Sequence, residues 1–558
     1  MIGNLSAYTD EIGRTTTYGY DQRNLQTQMS DPLGRATSTT YDKVGNIIAI
    51  ADALGNATQY AYDALYRRTK AIDALGKATV MAYDAEGNLL SLTDASGNTT
   101  SYAYDALSRM DLEVISVEGK ALFRSDRYDG AGNLLRMRDR NGRVQTFTYD
   151  ALNRQTQAQW RNSQGNPIRA VDYTYDAASQ LTAASDPDLA YAYRYDAAGR
   201  LVSTDNAGTA GVPNVLLSYG YDAVNNRTSV TDTITGIQAG VEAFTFDALD
   251  RVTQITQQGT GVTEKRVDLT YDAASQMTGL ARYSDIAGTQ PVANTTYMHD
   301  AAGRLTDLTH ERNGIPIADY GFTYDAANRL TQLTTPDGTS DYGYNGRDEL
   351  TSSNHSYQDD EGYTYDDTGN RTNAGYVAGA HNRLLSDGTY TYEYDNEGNR
   401  TKRVAITSGE TTEYGWDYRN RLTSVVTKDS SGAIAKSVEQ TYDMYNRRIA
   451  KSVDSDAGEQ PAATEERLLE EGNQLVNWHI PIPPISSLDE FDRLGDSGVR
   501  GDRNTSEPNS NTANTMKAEQ ACLSQLALQQ ALDTRAVQGY HKIRSTSFQL
   551  ERRQSARY

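Results

Sequence analysis

"TSYAYDALSRM", Thr100 to Met110, joins a short alternating run to a Tyr-Asp pair and a turn. Nearly the same phrase returns as "TQYAYDALYRR" (Thr58 to Arg68), "TFTYDALNRQ" (Thr146 to Gln155) and "FTYDAANRLT" (Phe322 to Thr331). Tyr-Asp occurs at Tyr20, Tyr41, Tyr62, Tyr83, Tyr104, Tyr128, Tyr149, Tyr175, Tyr195, Tyr221, Tyr271, Tyr324, Tyr365, Tyr394 and Tyr442. Phe246-Asp247, His299-Asp300, Tyr344-Asn345 and Trp416-Asp417 fill the gaps, which makes 19 units whose neighbours lie 20 to 29 residues apart. A fixed period of this kind signals a repeat architecture, in which one supersecondary unit is copied along the chain.

A half-period echo completes the unit. "SDPLGRAT" at Ser30, "ADALGNAT" at Ala51, "IDALGKAT" at Ile72 and "TDASGNTT" at Thr93 fall midway between Tyr-Asp sites. Between the two Asp-led turns lie runs rich in Thr, Tyr and Leu, in which Thr58, Tyr60 and Tyr62 share one face, as do Thr100, Tyr102 and Tyr104. Period two with β-branched and aromatic residues means strand. Asp bonds its own backbone two residues on, and Gly or Asn supplies the positive-φ position that closes a hairpin. Each unit therefore reads as two short antiparallel strands, and 19 units give on the order of 38 strands in one continuous ribbon. Native twist makes so large a sheet curl, so a spiral or shell is expected.

Composition agrees. Tyr is abundant (39) against few Phe (7), with 45 Gly and 12 Pro, and Tyr suits half-buried sheet surfaces. The net charge is −21, which disfavours nucleic acid and anionic lipid as partners; the aspartates of the turns account for it. Cys522 is the only cysteine, so no internal disulfide forms. The opening "MIGNLSAYTDEIGR" shows no secretory signal pattern, and no run of 18 apolar residues is present to span a membrane.

The repeated "YDALGN/R" phrase with its "DxxGN" half-turns resembles the YD repeats of bacterial RHS proteins, also found in the C components of Tc toxins and in teneurins. The resemblance runs from about Tyr8 to Val476. It implies an all-β fold, antiparallel hairpin repeats wound into a spiral hollow shell. In bacterial members the shell encloses a C-terminal toxic domain; in animal members it belongs to an extracellular adhesion scaffold. It further implies a secreted or cell-surface location reached without an N-terminal signal peptide, and a toxin cargo as partner. The repeat-defining pairs are structural: Tyr20 and Asp21, Tyr41 and Asp42, Tyr62 and Asp63, Tyr83 and Asp84, Tyr104 and Asp105, Tyr149 and Asp150, Tyr324 and Asp325, and Tyr394 and Asp395.

The domain reading is a repeat shell over 1–476, a linker over 477–514 and a tail over 515–558. Residues 446–539 lack Tyr, and "HIPIPPISSLDEF" (His479 to Phe491) and "DRNTSEPNSNTAN" read as linker. "TMKAEQACLSQLALQQALDTRAV" (Thr515 to Val537) reads as one helix. Family members close with a "DPxG" segment that carries self-cleavage; none follows Val476, and "SDPLGR" at Ser30 is a half-turn, so no autoproteolytic residue is assigned. The chain thus reads as a fragment of a longer RHS protein, or one whose reading frame changes near Trp478.

No catalytic or cofactor constellation emerges. His299, His310, His355, His381, His479 and His541 are scattered without metal-ligand spacing. The Asp turns offer too few converging oxygens for calcium. "GDSG" at Gly495 lacks a base in context, and "RGD" at Arg500 is a common tripeptide. The expectation is a non-enzymatic structural protein without cofactors. The alternative is a carbohydrate-binding adhesion module that uses exposed tyrosine faces; a tail toxin from about Asn477 has less support.

Overall fold

The structure is a computed structural model that describes residues 3–206, 209, 213–454 and 466–467, within a unit spanning Met1–Leu475. The linker expected over 477–514 and the helix expected over 515–537 lie outside the described residues, as do the "GDSG" and "RGD" stretches.

The fold is all-β, with 41 strands and one short 3-10 turn at Ala380–Asn382 among the described residues. Strands form because alternation gives each one a half-buried face. In Ala57–Tyr62, Thr58, Tyr60 and Tyr62 are half-buried while Gln59 and Ala61 are exposed. Apart from Glu361–Gly362 and Tyr376–Ala378, which do not pair with each other, successive strands pair antiparallel: Thr99–Tyr104 pairs back to Leu89–Thr93 and forward to Met110–Val117. Early strands run five or six residues, while Ile237–Phe246, Val262–Tyr271 and Ile315–Tyr324 reach 10.

Every Tyr-Asp site except Tyr365, which keeps only an isolated bridge, carries a register shift immediately before the turn, as between Ala61 and Tyr62, Ala103 and Tyr104, and Thr148 and Tyr149. A bulge bends its strand and increases right-handed twist. Repeated once per unit on the same rim, it winds the ribbon into a spiral. Among the described residues the first strand, Ala7–Thr9, pairs only with Thr15–Tyr20, so the sheet does not close edge to edge.

The turns fall on two rims. Tyr-Asp turns line one, and half-turns line the other. Later half-turns shrink to two residues with positive φ at both, as at Glu118-Gly119, Thr235-Gly236 and Asn313-Gly314, the geometry that matches strand twist. Successive laps meet rim to rim. Arg14 in a first-lap half-turn donates to Gln276, 262 residues on, and Tyr193 donates to Tyr445, 252 residues on.

The ribbon is not continuous as the sequence suggests. It divides into a 32-stranded sheet and a 9-stranded sheet. Between Glu361–Gly362 and Tyr376–Ala378 only an isolated bridge, Tyr365 to Arg371, remains. The Gly-, Ala- and Asn-rich stretch "NAGYVAGAHN" from Asn373 has poor strand-forming residues, and His381 and Asn382 are consecutively left-handed. The break hides a further repeat: Gly379 N–H donates to Arg383 C=O at 2.7 Å, the closure every Tyr-Asp turn uses.

Candidate functional site: the tyrosine-aspartate ladder and the seam

The Tyr104-Asp105 unit shows what the repeated residues do. Asp105 Oδ1 accepts the N–H groups of Leu107 and Arg109 at 2.8 and 3.1 Å, and its Oδ2 accepts Arg109 Nε at 2.7 Å. Ser108 occupies the left-handed position with φ 57°. Arg109 then reaches sideways, donating to the backbone carbonyl of Asp129 at 2.7 Å and stacking 4.8 Å above the Tyr128 ring. Tyr104 reaches the other way, its hydroxyl donating to the Leu89 carbonyl at 3.0 Å. This unit therefore ties down both neighbours: tyrosine backward, arginine forward.

The other sequence-assigned pairs sit in the same geometry. The hydroxyls of Tyr20, Tyr41, Tyr62, Tyr83, Tyr149, Tyr324 and Tyr394 donate to carbonyls one unit back at 2.7 to 3.0 Å. Asp21, Asp42, Asp63, Asp84, Asp150, Asp325 and Asp395 accept the N–H four residues on at 2.7 to 3.0 Å. Where Trp416 replaces tyrosine, its indole N–H donates to the Arg400 carbonyl at 2.8 Å. The hidden unit keeps the arginine and loses the pair: Arg383 lies 5.9 Å from the Tyr394 ring. Only the "NRL" ending, Asn382 to Leu384, marks it in sequence.

Hydrogen bonds from the turn backbone and arginine hold the Asp63, Asp105 and Asp150 carboxyls below the usual carboxylate value, against burial, which pulls upward. Burial pushes the ladder phenols Tyr149, Tyr271 and Tyr324 above theirs.

The seam between laps is the second site. Lys77 pairs with Asp367 at 2.6 Å, and Arg143 donates to the Asp417 carbonyl and the Asn420 side chain, each at 2.6 Å. His381, assigned no role from sequence, donates its backbone N–H to Asn98 at 3.0 Å. At the far end Trp160 packs 5.0 Å from Tyr418, and Ala158, Val171, Ala184, Leu189, Tyr191 and Met444 complete a buried cluster. Asp443, fully buried, binds Arg447 Nε at 2.6 Å, and Arg447 lies over the Tyr191 ring. Burial pushes the Tyr191 phenol up to about 12.

Among the described residues no group of His, Cys, Asp and Glu is arranged to hold a metal ion, and no helix is long and apolar enough to cross a membrane. Ser340 lies 2.7 Å from His355 Nδ1, yet Ser340 is fully buried and the other ring nitrogen faces Ser353, not a carboxylate. A cleft of about 510 Å³ opens in the seam beside Arg14, Arg35 and Arg304. Each of these arginines is already paired with an aspartate of its own turn.

A spiral of antiparallel hairpins tied by a Tyr-Asp-Arg ladder defines a YD-repeat shell protein. The family model for the RHS Repeat matches residues 2–36, 41–78, 83–121, 128–159, 175–210, 299–340 and 324–359, and the chain belongs to the RHS-repeat family. No curated protein matches it in sequence. Among solved structures it is similar to TcdB2-TccC3-Cdc42, with a TM-score of 0.52 and 14% identity, over 80% of this chain and 29% of that one. TcdB2-TccC3-TEV is similar at a TM-score of 0.49 and 15% identity, over 83% of this chain and 27% of that one. The Photorhabdus luminescens Tc holotoxin pore is similar at 0.36 and 15%, over 80% and 30%. This chain thus spans under a third of the length of those it resembles, and the likeness concerns the fold.

Proposed function

We propose that the chain is the non-enzymatic wall of an RHS-type shell that encloses or presents a polypeptide cargo, acting outside the cell or at its surface. Residues 477–558 form the linker and tail beyond the wall. The seam carries this reading. Hydrogen bonds, ion pairs and the Trp160 cluster turn a ribbon that would otherwise lie open into a wall of stacked laps. About 22 strands per lap at about 4.8 Å each give a ring about 34 Å across, the scale of a polypeptide, not a small molecule. The chemistry of the wall is spent on itself: carboxylates close turns, phenols bind carbonyls and guanidinium groups cover rings.

The last point disfavours carbohydrate binding. Sugar stacking needs a bare aromatic face, and Arg154, Arg200, Arg251 and Arg304 cover Tyr175, Tyr221, Tyr271 and Tyr324 at 4.6 to 4.9 Å. The test is protection of cargo. A protease-sensitive reporter fused to the C-terminus of the full chain should be cleaved on the order of tenfold more slowly than on an unrelated carrier, because cleavage requires opening. Equal rates would overturn the proposal.

A further inference from the structure

The two faces of the wall are not alike. Among the described residues every buried strand side chain lies on the face of the ladder tyrosines; Ile115, Trp160, Val171, Tyr219, Tyr297 and Thr412 are examples. In a curved single-layer sheet side chains crowd together on the concave side and splay apart on the convex side, so the ladder face is the inner one. In the 9-stranded sheet the faces also differ in charge. The strands place Arg400, Arg403, Lys436, Arg448 and Lys451 on the inner face. Glu393, Glu413, Glu439 and Asp454 lie on the outer face, beside Lys402 and Lys428. Asp387, a carboxylate of the inner face, is already held by the Tyr392 hydroxyl at 2.5 Å and by the N–H groups of Thr389 and Tyr390. A chain of net charge −21 thus carries a basic patch on the inside of its wall.

We propose that this patch holds an acidic segment of the enclosed polypeptide, an inference that rests on the wall enclosing one. Arg403, Thr412, Thr427 and Lys436 stand in a single register row, from strand Arg400–Ala405 to strand Ile434–Tyr442. The two cations are three strand spacings apart, about 14 Å, with only short threonine side chains between them. An extended peptide rises about 3.4 Å per residue, so carboxylates about four residues apart on one side of it match the two ends. Arg400 and Arg403 lie over the Tyr392 and Tyr390 rings at 4.1 and 4.4 Å, and those rings are 6.5 Å apart. Stacking fixes the guanidinium groups but supplies no acceptor, and the Nε of each is buried without one. Among the described residues neither arginine nor Lys436 has a carboxylate partner. Arg421 and Arg447, in turns of the same sheet, bind Asp417 and Asp443 at 2.6 Å. Like charges left together raise a positive potential that a carboxylate relieves, and guanidinium takes carboxylate through paired hydrogen bonds. Nucleic acid, a denser polyanion, is repelled by the acidic remainder of the chain.

The test joins a protease-sensitive reporter to the C-terminus of the full chain through either an oligo-glutamate or an oligo-glutamine segment. Each cleavage rate is taken relative to the same segment and reporter on an unrelated carrier. The glutamate fusion should be cleaved on the order of fivefold more slowly than the glutamine fusion at low salt. High salt should close that gap, because it screens the charges. Arg400→Gln, Arg403→Gln and Lys436→Gln combined should close it too, with the glutamine fusion and the circular dichroism spectrum unchanged. Lys436→Glu alone, at an exposed side chain, should already narrow it. Lys402→Gln with Lys428→Gln, on the outer face, should leave it intact. A glutamine fusion that is protected as well as the glutamate fusion would overturn this inference and leave enclosure standing. A gap that survives the inner-face substitutions would overturn it as well. Both fusions cleaved at the carrier's rate would overturn enclosure, and this inference with it.

Discussion

Replacing Trp160 with alanine tests whether the laps are held as described. Trp160 is buried, packs on Tyr418 at 5.0 Å and lies under the Arg419 guanidinium at 5.3 Å. Truncating a buried tryptophan costs about 3–5 kcal/mol through lost transfer energy and the cavity left behind. If the repeat body melts as one unit of about 450 residues, its unfolding entropy near 60 °C is about 0.95 kcal/mol/K, and Tm should fall by about 3–5 °C. Because Tyr418 lies 258 residues away, hydrogen exchange should quicken on both sides of the seam, in Gln155–Arg161 and around Asp417–Arg421. Leu107→Ala, on an exposed side chain, is the control and should stay within about 0.5 kcal/mol. Unchanged Tm and unchanged exchange around Tyr418 would refute the seam as the element that holds the laps.

Further outcomes follow from the ladder. The turn aspartates Asp63, Asp105, Asp150, Asp196 and Asp247 have carboxyls held below the value of 3.8. Their contribution to stability is present above that value and is lost as pH falls through the lower folded values, so urea midpoints should hold near pH 5 and drop below about pH 4. The phenols run the other way: with Tyr191 raised from 10.0 to about 12, its contribution is full below pH 10 and is lost as pH rises through about 12. Tyrosinate absorbance should therefore appear late and together with loss of β circular dichroism; early, independent titration would count against buried ladder phenols. In the hidden unit, a Cβ at Gly379 would meet Leu385 Cδ1 at 2.8 Å. Gly379→Asp alone should then destabilise by about 1–3 kcal/mol through overpacking, and adding Leu385→Thr should recover most of it in a double-mutant cycle.

The Tyr-Asp ladder was readable in the sequence because its interactions are local or one unit apart. Asp105 closes its turn on Leu107 and Arg109, and Tyr104 reaches only to Leu89; a periodic sequence displays periodic contacts. The arginine link was less visible, since Asn133 or Gln180 stands where Arg109 does in other units. The unit at Gly379 was missed because both defining residues are gone and only backbone closure survives.

The seam belongs to tertiary structure alone. Which half-turn faces which Tyr-Asp turn depends on how much bend each bulge adds over about 250 residues, a sum that no local phrase encodes. Trp160, Tyr418 and Asp443 are unremarkable in sequence: an aromatic in a strand, an aromatic in a turn, another turn aspartate. They become a core because the winding brings them within contact distance, where burial adds stability that a single-layer sheet lacks. The sequence by itself determined the unit, its turns and the fact of curvature. The number of strands per lap and the mated rims were decided by accumulated twist.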